Sequence, residues 1–138
     1  MPNDCYNRVT IGGNPEVIDY LYKKRFKFNT ILPIPDNAHE TWCLNNWGTT
    51  GDRYKFKVLK VGREGLQISF HTKWNPPYNL FNYLCETFRI WLKCEWDEEG
   101  GAAGVYIVKF NNETKNTDVQ NFQWEDWCIE EYCHRFTH

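Results

Sequence analysis

The chain has 138 residues, 41% of them hydrophobic and 25% charged, which fits one compact domain and excludes disorder, collagen and coiled coil. Sixteen basic against eighteen acidic residues leave a net charge of −2, which argues against a uniformly basic surface that wraps nucleic acid. There is no membrane-length run of about 18 apolar residues, and the start Met1-Pro2-Asn3-Asp4 lacks the basic and apolar regions of a signal peptide; a cytoplasmic protein with no membrane partner is expected.

In chain order, Val9 and Ile11 alternate with Tyr6, Arg8 and Thr10 up to Gly12-Gly13, which predicts a first strand. Asn14 caps a predicted helix that opens on Pro15, carries Val17, Ile18, Leu21 and Tyr22 at helical spacing and closes on Lys23-Lys24-Arg25. From Phe26 to Gly51 the periodicity vanishes while apolar residues persist, so this stretch reads as a long loop pinned by its own side chains. Tyr54, Phe56 and Val58 alternate with Arg53, Lys55 and Lys57. After Gly62-Arg63-Glu64-Gly65, Leu66, Ile68 and Phe70 alternate with Gln67, Ser69 and His71, so the two runs form a hairpin with Tyr54, Phe56 and Val58 facing inward. Pro76-Pro77 precedes a second amphipathic helix with Leu80, Phe81, Leu84, Cys85 and Phe88. Strands follow at Ile90–Trp96 and Val105–Phe110, and an apolar stripe of Trp124, Trp127, Cys128, Tyr132 and Phe136 predicts a C-terminal helix.

The order β, α, β, β, α, β, β is the split βαβ plan with one extra hairpin strand. The expected fold is therefore α+β: a ferredoxin-like antiparallel sheet with two helices on one face over residues 1–116, and a C-terminal helical extension of the same domain over residues 117–138. Charge divides along the chain, with thirteen Lys/Arg against eight Asp/Glu in residues 1–93 and three against ten in residues 94–138. Cys5, Cys43, Cys85, Cys94, Cys128 and Cys133 come without an export signal and are expected as free, buried thiols. Fourteen Asn against three Ala is the bias of AT-rich coding and points to a phage, a virus or an AT-rich host.

Specific strings add a likeness to this pattern: Met1-Pro2-Asn3 with Cys5 and Asn7; Phe28-Asn29 with Ile31, Pro33 and Pro35; Trp42-Cys43 with Asn46-Trp47-Gly48-Thr49. Phe70 and Thr72 with Trp74, Pro76 and Pro77, and Gly100 with Gly104, complete it. Over residues 1 to about 110 the chain resembles the YubB-like family of phage- and plasmid-encoded proteins, whose shared region is a ferredoxin-like domain. Asp4 departs from the Trp usual after Pro-Asn. The resemblance implies the fold and a mobile-element setting, and it carries over no catalytic role.

No triad, phosphate-loop string or metal-ligand spacing is present, so no catalytic residue, cofactor or metal is assigned. The overlapping Cys128, Cys133, His134 and His138 are expected as core thiols and surface histidines. Two binding surfaces remain. Trp42, Trp47 and Trp74 fall in loops, where they either pin the chain or present an edge to a protein, and aromatic residues at 17% exceed what a core of this size needs. Alternation also gathers Arg8, Arg53, Lys55, Lys57 and Lys93 with Tyr6 and Trp91 on the sheet face away from the helices, where cations meet phosphates and rings meet bases. The expected function is a non-enzymatic binding module of a phage, virus or mobile element that contacts a host or virion protein and is virion-associated or free in the host cytoplasm. The alternative is a single-stranded nucleic-acid-binding protein that uses the basic face.

Overall fold

The computed structural model describes residues 3–125. The first strand, β1 (Asp4–Gly12), buries Cys5, Asn7, Val9 and Ile11 and leaves Tyr6 and Arg8 exposed, the period-2 pattern of a sheet covered on one side. The first helix, α1 (Pro15–Lys23), begins where Asn14 Oδ1 accepts the Glu16 amide at 2.9 Å and proline occupies the first turn, and it buries Ile18 and Leu21. Arg25 and Phe26 then adopt left-handed backbone, at φ 53° and 50°, and this tight reversal delivers Phe26 into the core.

The segment expected as a loop holds two short helices, α2 (Phe28–Ile31) and α3 (Glu40–Asn46). Each is too short to show a hydrophobic period, and each depends on other residues. The Asp52 carboxylate accepts the Phe28 and Asn29 amides at 2.9 and 3.0 Å, filling the donors that open α2. Beyond α3, Gly48 lies at φ +91° against the start of α4 (Tyr78–Phe88), where a side chain would come within 3.0 Å of the Tyr78 nitrogen.

The remaining strands are β2 (Tyr54–Val61), β3 (Gly65–Lys73), β4 (Trp91–Glu98), β5 (Ala102–Asn111) and β6 (Asn116–Glu125). They form one antiparallel sheet in the order β2-β3-β1-β4-β5-β6. The first four positions are the ferredoxin-like arrangement: β3 lies between β1 and β2, and β1 lies between β3 and β4, so two βαβ units interleave. The β5–β6 hairpin extends the β4 edge.

One helix-covered face carries the core, where Phe26 stacks on Phe70 at 5.5 Å between centroids and Phe28 meets Phe70 at 5.7 Å and Trp47 at 5.6 Å. Such pairs add about 0.5–1.5 kcal/mol each beyond area burial. Asn7 is fully buried on the same face. Its Nδ2 donates to the Thr72 hydroxyl at 3.0 Å and to the Cys5 carbonyl at 3.2 Å, and its Oδ1 accepts from Cys94 Sγ at 3.6 Å.

Three expectations are corrected. Residues 116–125 are the edge strand β6, so the C-terminal helix does not begin at residue 117; Trp124, counted in a helical stripe, stands opposite Ala103 in a ten-residue ladder. Residues 126–138, with Cys128, Cys133, His134 and His138, lie outside the described residues. The extension of the plan is two strands rather than one. Tyr54 does not face inward with Phe56 and Val58: it pairs with His71, while Lys57 pairs with Ser69, so a bulge at residues 55–56 puts Tyr54 on the uncovered face.

Candidate functional site

Among the described residues no helix covers the sheet face opposite the core, and the register tells which side chains share it. Asp4, Tyr6, Arg8 and Thr10 of β1 stand beside Lys73, His71, Ser69 and Gln67 of β3, and beside Asp97, Glu95 and Lys93 of β4. Trp91 continues this row opposite Gly12. Lys57 joins from β2 through its pairing with Ser69, and Val105, Ile107, Phe122 and Trp124 join from β5 and β6.

Of the residues gathered from the sequence, Tyr6, Arg8, Lys57, Trp91 and Lys93 do share this face, and Lys55 lies near enough to Asp4 to act on its charge. Arg53 does not. Its Nε donates to the Arg25 carbonyl at 3.0 Å and its guanidinium stacks 4.6 Å from the Phe56 ring, which ties it to the end of α1 on the helix side. The face is also less basic than the pattern implied, because Glu95 sits opposite Arg8 and 3.9 Å from Lys93.

It divides instead into two halves. Toward β2 the exposed cations Arg8, Lys55, Lys57 and Lys60 stand with Asp4, whose amide donates to the Glu99 carboxylate at 2.7 Å. Toward β6, Glu95, Asp97 and Asp118 offset Lys93 and Lys109 among Val105, Ile107, Phe122 and Trp124. In the first half an open cleft of about 420 Å³ is lined by Tyr6, Lys55, Phe56, Lys57, Ser69 and His71, with Leu59 at its rim.

At the end of that cleft lies a cluster the sequence did not announce, since its members are 50 and 67 residues apart. The Asp4 carboxylate accepts from the Tyr54 hydroxyl and from His71 Nδ1, the latter at 2.5 Å. A carboxylate only accepts, so Nδ1 carries the hydrogen, and Nε2 has no hydrogen-bond partner among the described residues. Tyr6 meets the imidazole edge-on at 5.4 Å. Partial burial pushes the Asp4 carboxyl up, but the hydrogen bonds from Tyr54 and His71 and the charges of His71 and Lys55 win, and it sits below its ordinary 3.8. The same burial and the neighbouring carboxylate push the Tyr54 phenol up, so it stays a donor. The cluster holds the start of β2 to β1 and fixes the imidazole ring beside Tyr6.

The loop tryptophans do not form one exposed group. Trp47 is 1% exposed, donates its indole N–H to the Leu32 carbonyl at 3.0 Å and belongs to the core, so it is corrected from a contact residue to a pin. Trp42 is partly buried against it. Trp74 is 51% exposed, on left-handed backbone at φ 73° with its amide bonded to the Asn3 carbonyl. Cys5, Cys43, Cys85 and Cys94 are free and buried, and burial pushes the Cys5 and Cys85 thiols up to about 12, so they remain protonated packing groups at neutral pH. No cluster of metal-ligating side chains occurs among the described residues, and no helix among them is long and apolar enough to cross a membrane.

No curated protein and no solved structure matches the chain. One family model, described as the ferredoxin-like domain in Api92-like protein, matches residues 47–133, more than half of the sequence. That stretch runs from the Trp47 pin through the hairpin, α4 and the added strands. The chain belongs to the family of ferredoxin-like domains of Api92-like proteins.

Proposed function

We propose that the protein is a non-enzymatic binding module that takes single-stranded nucleic acid on its uncovered sheet face. The observation that carries this reading is the row along β1, in which the exposed Tyr6 and Arg8 lead toward Trp91, with Lys57 alongside and no helix above among the described residues. From Tyr6 to the Gly12 position opposite Trp91 is about 20 Å at roughly 3.3 Å per residue, room for a few extended nucleotides. Rings would stack on bases and cations would meet phosphates, with no demand for sequence. The likeness to phage and plasmid proteins supports a mobile-element setting.

Fluorescence anisotropy with a short oligothymidylate at rising salt tests the reading. Three phosphate contacts predict a log–log slope near −2, and Arg8→Ala with Lys57→Ala would weaken binding and flatten it. Failure to bind at low salt sinks the proposal. A second reading, contact with a host or virion protein, is favoured by Trp74, whose large ring is held out by left-handed backbone. A Trp74→Ala protein that stays folded yet loses a captured partner would support it.

A further inference from the structure

The two edges of the sheet are built in opposite ways. On one edge, β2 carries register shifts at residues 55–56 and 59 and presents exposed Lys55, Lys57 and Lys60. Bulges and lysines are the devices that keep an edge strand from pairing with another chain. On the other edge, β6 has neither: its ten residues pair with β5 without a register shift and include no Lys, Arg or Pro. Apolar side chains stand out on both of its faces, Phe122 at 53% and Trp124 at 41% exposure on the uncovered side and Val119 at 46% on the helix side. Among the described residues no strand occupies its outer side.

We propose that β6 pairs with β6 of a second copy of this chain, antiparallel about a two-fold axis at Asn121, to make one continuous sheet of two six-stranded halves. The strand is suited to its own copy. Symmetry about Asn121 sets even-numbered residues opposite even-numbered ones, so the uncovered faces of both copies stay on the same side. Gln120 then stands opposite the partner's Phe122, and the two Phe122 rings become diagonal neighbours within aromatic reach. Asp118 meets the partner's Trp124, and no acidic residue of the strand faces another. An axis at Gln120 would move the two Phe122 rings four positions apart along the strands, out of reach of each other. The occupant must also cover apolar groups on both sides of the sheet, which another β6 does. This dimer does not depend on the nucleic-acid reading.

Sedimentation equilibrium of the full chain at tens of micromolar tests it. A dimer is expected, with Val119→Lys and Phe122→Lys each raising the dissociation constant roughly tenfold or more, and with Val61→Lys on the β2 edge leaving it unchanged. Circular dichroism checks that the variants fold. Asn121→Cys gives a second readout independent of those substitutions: directly opposed positions lie about 4.5–5.5 Å apart between Cα atoms, so mild oxidation yields a covalent dimer above the wild-type background. A monomeric wild type overturns the proposal, including one whose β6 amides resist hydrogen exchange because the chain's own residues hold the edge. So does a dimer that is indifferent to Val119→Lys and Phe122→Lys, or an Asn121→Cys protein that does not cross-link.

Discussion

The covered and bare sides of the sheet use the same residue types to different ends. Beneath the helices, Phe26, Phe28, Phe70 and Trp47 touch one another and are sealed from water. On the other side, Tyr6, Trp91, Phe122 and Trp124 are spread over three strands with charges between them. Rings that meet rings supply cohesion; rings that alternate with cations supply a surface. The difference teaches that aromatic content alone does not tell a core from a binding face, and that the contacts between rings do.

The largest test of that contrast is Phe70→Ala. It leaves a cavity where Phe26 and Phe28 converge and should cost about 3–5 kcal/mol in urea denaturation. If it proves mild, the covered rings are not the cohesive set. Next comes Tyr6→Ala, which should leave the denaturation midpoint nearly unchanged while weakening oligonucleotide binding by about 1–3 kcal/mol, read by anisotropy. A stability loss without a binding loss would merge the two sides.

Asp4→Asn probes the staple at the border, at a cost of about 1–2 kcal/mol at neutral pH. The Asp4 carboxyl is lowered in the folded chain from 3.8, so its contribution is full above that value and disappears as pH falls through the folded one. The stability gap between wild type and Asp4→Asn should therefore close as pH falls below 3.8, measured by thermal melts on the acid side. The smallest effect is expected at Trp96, whose buried Nε1 has no hydrogen-bond partner among the described residues. In Trp96→Phe, relief of the orphaned donor offsets lost ring contact, and the change should stay within about 1 kcal/mol.

What could be read from the sequence was whatever lay in uninterrupted alternation or in a capped helix. Val9 with Ile11, Leu66 with Ile68 and Phe70, and Asn14-Pro15 each marked their element, and the interleaved βαβ plan followed. The rest depended on information spread along the chain. Asp52 opens α2 from 24 residues away, and one bulge turned Tyr54 to the other face while Arg53 is held on the helix side. β6 alternates polar residues with few apolar ones, so Trp124 was drawn into a helical period it does not share. The Asp4–Tyr54–His71 cluster exists only once three strands are side by side.

Asn7 has a consequence for how the chain reaches this arrangement. Its amide finds partners only when Thr72, Cys5 and Cys94 stand where they do. Slipping β1 by two residues would keep apolar side chains inward yet leave that amide stranded, an error of about 1–3 kcal/mol. The innermost ladder is thus keyed: a slipped β1 is penalised at the centre of the sheet, whatever register the outer strands take.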